Sequence, residues 1–225
     1  MYRILSHVLN TRDHAFPGAP TLRLTPFEVI GENGSACNTC RVEVFNHYGT
    51  HMDGPNHFNP QGAELWQMPL ETFISERPLL LDLPKGEGEG VTPEELLLHD
   101  EELKQADMLF IRSGFEQVRY TDNERYSKRG PCVSSLAAQL LVERWPNLKA
   151  VAMDWISLSS PLSLADGVRA HQLMLGLEGH KPILIIEDVS LQNIQPDKLK
   201  KVFVMPLLVE GIDSAPVTIL AELED

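Results

Sequence analysis

Apolar residues gather into short unbroken runs at 77–83, 107–114, 149–154 and 182–188, and alternate with polar ones in Arg41-Val42-Glu43-Val44-Phe45. The runs predict buried strands, and the alternation predicts a strand covered on one face. Helices fill the spaces between. Thr92-Pro93-Glu94-Glu95 offers a capping hydroxyl, a first-turn proline and a reciprocal glutamate, which predicts a helix to about Gln105. A second is predicted over 134–145, with Leu136, Leu140 and Leu141 as its apolar stripe and Pro146-Asn147 as its stop. Residues 166–175 predict a third helix, with His171 on one face. The polar stretch 120–130 predicts a loop over a pocket, and the Gly-rich segment 85–90 a surface loop without phosphate-binding character. Strands alternating with helices make the chain α/β. No repeat or linker interrupts it, so 1–225 is expected to be a single domain.

Composition narrows the function classes. With 43% hydrophobic and 23% charged residues the chain reads as an ordinary globular protein. Its formal charge of −13 argues against nucleic-acid or anionic-membrane surfaces as partners. No apolar run approaches the ~20 residues that span a bilayer, and the start lacks a secretory h-region. The expected location is cytoplasmic. Three cysteines form no disulfide framework. Cys37 and Cys40 have C-x-x-C spacing, but a strand pattern follows them where a thiol-activating helix would be needed.

The densest chemistry lies in Phe45-Asn46-His47-Tyr48-Gly49-Thr50-His51-Met52-Asp53-Gly54-Pro55-Asn56-His57-Phe58. Two glycines and a proline disfavour a helix here. In an extended or turning segment His47, His51 and Asp53 share a side. Two imidazoles and a carboxylate suit zinc, iron or manganese with positions left open. His57 follows closely enough to serve as a proton-transfer group.

The pattern His47-x-Gly49-Thr50-His51-x-Asp53-x-Pro55-x-His57-Phe58 resembles the signature of the cyclase family of metal-dependent hydrolases, which includes bacterial kynurenine formamidase and isatin hydrolase. The resemblance implies the swivelling β/β/α fold, where composition alone gives a mixed sheet flanked by helices. It further implies hydrolysis of the C–N bond of a small arylformamide or cyclic amide. One or two Zn2+ or Mn2+ ions per chain are expected, and a homo-oligomer. Metal ligands are implied at His47, His51 and Asp53, and from later in the chain at His171 and Glu187. Asp53 would bridge, with His47 and His51 on one ion and His171 and Glu187 on the other. His57 would move protons, and Phe16, ahead of the Pro17-Gly18 turn, would line the substrate pocket. Ala19 stands where the family commonly has an acid. The insertion-like Leu177-Glu178-Gly179-His180-Lys181 lengthens the spacing from His171 to Glu187 and leaves His180 as a weaker rival ligand. Two other readings compete: a non-catalytic metal-binding protein, and a thiol oxidoreductase using Cys37 and Cys40. A binder has no need of His57, and no Gly-x-Ser-x-Gly elbow supports a serine hydrolase.

Overall fold

All four apolar runs become neighbouring parallel strands, in the order Leu184–Glu187, Ala150–Met153, Met108–Arg112 and Pro78–Asp82. Parallel strands are covered on both faces, which is why they read as continuous apolar runs. Leu109 and Ile111 enter one core while Met108 and Phe110 enter the other. The first core lies under the helices and is filled by Leu141, Trp145 and Trp155. The second is closed by antiparallel strands of the same sheet. The computed structural model describes residues 1–224.

Beyond Leu184–Glu187 the sheet turns antiparallel. The short strand His51–Asp53 pairs with it on one side and with Ser214–Leu223 on the other. Leu199–Pro206 and then Ile74–Ser75 follow, while Tyr2–Ile4 lies against Ser214–Leu223. Leu199–Pro206 comes back near Pro78–Asp82, so the sheet is nearly closed. The mixed α/β architecture predicted from the sequence is the one observed.

Several local expectations are corrected. The helix from Thr92 is two, Pro93–Leu97 and Asp100–Gln105, although its capping box forms through Thr92 and Glu95. The expected loop at 120–130 is mostly helical, because Glu116–Thr121 and Asn123–Arg129 carry Arg119 and Tyr126 inward onto a buried carboxylate. In Ser135–Arg144 the covered face is Ala137, Ala138 and Leu141, while Leu136 is exposed. The alternating segment is Thr39–Glu43, paired only with Arg23–Glu28 and exposed on both faces. Cys37, Cys40 and Cys132 are all free. Among the described residues no helix is long and apolar enough to cross a membrane.

Candidate metal centre

The histidine-rich stretch resolves into a turn, a strand and a 3-10 turn. Gly49 adopts φ of 65°, and a side chain there would strike Leu9. That turn delivers the chain into His51–Asp53, where residues two apart share a face. Pairing then decides the neighbours. Glu187 lies directly opposite His51, and Ser214 opposite Asp53, which brings Asp213 to the rim. The 3-10 turn Pro55–His57 lifts His57 to the same rim.

The fourth imidazole comes from the helix Leu164–Met174. Asp166 anchors its first turn by accepting hydrogen bonds from the backbone N–H and hydroxyl of Ser135. Gly167 lets the helix lie against the segment before it: a side-chain carbon there would fall 2.1 Å from Ser159 Oγ and 2.8 Å from its Cα. His171 is thereby held over the centre.

The donor atoms converge around Asp53. His47 Nδ1 lies 3.0 Å and His51 Nε2 3.5 Å from Asp53 Oδ1. His51 Nε2 is 3.2 Å from Glu187 Oε2, and His171 Nε2 is 3.6 Å from Glu187 Oε1 and 3.8 Å from Asp53 Oδ2. His51, Asp53, His171 and Glu187 are all at most 4% exposed. Two trios have ligand atoms within 4.8 Å of one another: His47, Asp53 and His57, and His51, Asp53 and Glu187. Asp53 belongs to both. This grouping differs from the expected one, since His57 rather than His51 sits with His47.

Each ring is oriented by its other nitrogen. His51 Nδ1 donates to the Gly49 carbonyl at 2.8 Å, and His171 Nδ1 to that of Gly167 at 2.8 Å. His47 Nε2 donates to Asp213 Oδ2 at 2.9 Å. With a cation in place of its proton, the remaining nitrogen of each ring would face the carboxylates with its lone pair, the arrangement that metal-binding histidines adopt. His51 Nε2 and both oxygens of Asp53 are buried without a hydrogen bond. Such orphans are costly, and a cation among them removes the cost. Glu187 Oε1 is steadied by the Leu158 N–H at 2.6 Å and the Ser157 hydroxyl at 3.0 Å.

The charges match. Burial opposes charging His47, but Asp213 and Asp53 outweigh it and push its pKa up to about 10. Burial also opposes ionising Asp213, yet His47 and His57 hold its carboxyl well below the usual range. Glu187 is likewise held low against its burial by His171 and His51.

Above the centre opens a cavity of about 410 Å³, lined by Phe16, Ala19, Phe45, Phe58, Ile156 and Leu164 among others, with His57 in its wall. A groove of about 550 Å³ behind Thr50 is larger, but no second His/Asp/Glu trio lines it among the described residues. His180 lines neither. Asp154, at the end of its strand, caps Ser113 and Gly114 instead of entering the site.

Asp213 is the residue sequence reasoning missed. It accepts from His57 Nδ1 at 2.6 Å, from His47 Nε2 at 2.9 Å and from Asn46 Nδ2 at 2.6 Å. Lying alone in Glu210-Gly211-Ile212-Asp213-Ser214, it has no companion of matching chemistry within four residues except Glu210. Only the pairing of Ser214 with Asp53 reveals it.

The sequence model described as "Putative cyclase" matches residues 4–160. The chain belongs to the Cyclase family. Isatin hydrolase A from Labrenzia aggregata, solved with benzyl benzoate bound, superposes with a TM-score of 0.81 at 17% identity, covering 100% of this chain and 94% of that one. Isatin hydrolase A from Ralstonia solanacearum gives 0.83 at 17%, covering 100% and 92%. These likenesses establish the fold of this Cyclase family member. A protein of Haemophilus influenzae is 37% identical over 111 residues, 49% of this chain and 78% of its own. Cyclase-like protein 3 of Oryza sativa is 25% identical over 198 residues, 82% of this chain and 66% of its own.

Proposed function

We propose that this Cyclase family member is a metal-dependent hydrolase that cleaves the C–N bond of a small arylformamide or cyclic amide. One observation carries the reading: two donor trios share Asp53, a buried carboxylate surrounded by imidazoles and without a hydrogen bond, at the floor of an open cavity. His47, His51, Asp53, His171 and Glu187 would hold one or two divalent ions such as Zn2+ or Mn2+. A divalent ion bound there lowers the pKa of water towards ~7 and polarises a carbonyl. Solved relatives described as isatin hydrolases and as a potential metal-dependent hydrolase with cyclase activity support the reaction class.

The chain's own residues supply the proton chemistry. With Nδ1–H of His57 committed to Asp213, Nε2 is the nitrogen free to exchange protons. It takes the proton released as water adds to the carbonyl carbon and returns it to the departing nitrogen as the C–N bond breaks. Asp213 is the positioning residue: it fixes the tautomer of His57 and, through Nε2–H, that of His47. The apolar walls restrict bulk water.

The test is metal analysis of the purified protein followed by assays on formanilides and lactams, before and after chelation. The expected result is bound metal and chelator-sensitive hydrolysis. Protein that neither retains nor takes up metal overturns the reading. Bound metal with no hydrolysis on any such substrate replaces it with non-catalytic metal binding.

A further inference from the structure

The cavity is defined as much by charge as by shape. Phe16, Phe45, Phe58, Ile156, Leu164 and Val168 form its walls. Phe58 lies nearly parallel to His171, with centroids 4.8 Å apart, and meets His57 edge-on at 4.6 Å. A flat ring entering here finds further aromatic surface against which to pack.

Positive charge free to take a ligand is missing from the walls, since His47 is held between the carboxylates of Asp53 and Asp213. Among the described residues lining the cavity there is no lysine or arginine. Arg119, Arg169, Arg125 and Arg129 on the helices are committed elsewhere: Arg119 to Asp13 and Asp188, Arg169 to Glu178, and Arg125 and Arg129 to Glu87. The two serine hydroxyls are engaged as well, Ser157 with Glu187 and Ser159 near His171 Nδ1. A net charge of −13 gives an anionic ligand no long-range attraction. A carboxylate held away from the centre would lose its hydration against phenyl and aliphatic carbon, because the polar groups of the lining, His47, His57, His171 and the two serines, sit at the centre beside Asp53 and Glu187.

Resting on the hydrolase reading, we infer that the substrate carries no carboxylate of its own: it is an uncharged aromatic amide or lactam, not an amide built on an amino acid. The carboxylic acid formed by hydrolysis arises at the centre and needs no wall cation. A substrate with an acid elsewhere has only the metal to bind, which places that acid where the reacting carbonyl belongs.

A pair of compounds differing only in that group tests this: formanilide and 2-formamidobenzoate. On the metal-loaded enzyme, kcat/KM for formanilide should be ~10²-fold or more higher, since a site without a partner for a polar group discriminates by at least that much. Binding to the metal-free protein, followed by calorimetry, supplies the second reading. Formanilide should bind there and the carboxylate compound should not. Val168, on the helix rim and 43% exposed, tolerates a longer side chain. Val168→Arg should raise use of the carboxylate compound at least about tenfold by supplying the missing partner. Equal or better turnover of 2-formamidobenzoate, or its equal binding without metal, overturns the inference. If neither compound is hydrolysed by metal-loaded protein, the hydrolase reading fails, and the metal-free binding comparison still decides the charge of the ligand.

Discussion

Glu187 and Asp188 are adjacent in the chain and buried to the same extent, yet they live in opposite circumstances. Glu187 ends its strand facing His51, His171 and Asp53, in a group whose Asp53 oxygens and His51 Nε2 have no hydrogen bond. Asp188 adopts φ of 54° and turns the other way. There it accepts from Arg119 Nε at 3.0 Å and Nη2 at 3.2 Å and from Tyr126 Oη at 2.6 Å, with His7 close by. Both oxygens of Asp188 are satisfied, with His7 Nε2 the one orphan beside them, whereas the group around Glu187 leaves a whole carboxylate and an imidazole nitrogen without a hydrogen bond. The first arrangement holds a fold together, and the second waits for something. A buried carboxylate becomes informative only when its partners are counted.

The sharpest way to break the contrast is Asp53→Asn. It removes the charge common to both trios, so metal content should fall and hydrolysis should drop to background. Melting of the chelated protein should also fall, because His47 and His51 stabilise the Asp53 carboxylate by more than burial and Glu187 oppose it. A variant that keeps its metal would remove Asp53 from the centre. His57→Ala should come next, losing ~10²–10⁴-fold in kcat. Its metal content should stay whole; loss of metal would make His57 a ligand, as its place in the trio with His47 allows.

The completed network should respond in stability instead. Arg119→Leu strands Asp188 and should cost ~3–5 kcal/mol. For a chain of this size that corresponds to roughly 10 °C in Tm. Folded variant should bind metal like the parent, and a matching loss of metal affinity would show the two networks to be one.

The smallest effect concerns a second completed carboxylate. Asp107 is buried, which alone would raise its pKa, but the Ser75 hydroxyl, the Glu76 and Arg77 N–H groups and Lys149 hold it below the usual range. Its folded pKa is depressed, so its contribution is present above the unfolded value of about 3.9. It is lost as pH falls through the folded value. Asp107→Asn should therefore flatten the acid limb of the stability curve below about pH 4 and lower the neutral plateau by ~1–2 kcal/mol. Denaturant melts at several pH values measure both.

Much of this was legible in the sequence where the signal is local. The four apolar runs became the four parallel strands because burial on both faces leaves no room for polar residues. The stretch 47–57 announced itself by density, and Glu187 by ending an apolar run. What was illegible depends on pairing or on long reach. The strands Leu199–Pro206 and Ser214–Leu223 mix exposed and buried positions and contain Pro206 and Pro216, so no run marks them. Asp213 became visible only with their register. The 120–130 segment looked polar because its helices bury Arg119 and Tyr126, residues that satisfy a distant Asp188 instead of an apolar face.

The missing side chain at Gly167 sets a mechanical tolerance. A helix loses some stability by having glycine in it, ~0.5–1 kcal/mol relative to alanine. In return its backbone lies where a methyl group would collide with Ser159 Cα, an atom that no side-chain rotation can move. The same rigid rod carries His171 at one end and Leu164 and Val168, walls of the cavity, near the other. Lifting it far enough to clear Ser159, as Gly167→Ala demands, would move His171 and the wall together. The spacing of the donor groups and the width of the cavity are therefore not independent dials: a change that widens the cavity at this helix also shifts His171 away from Asp53 and Glu187.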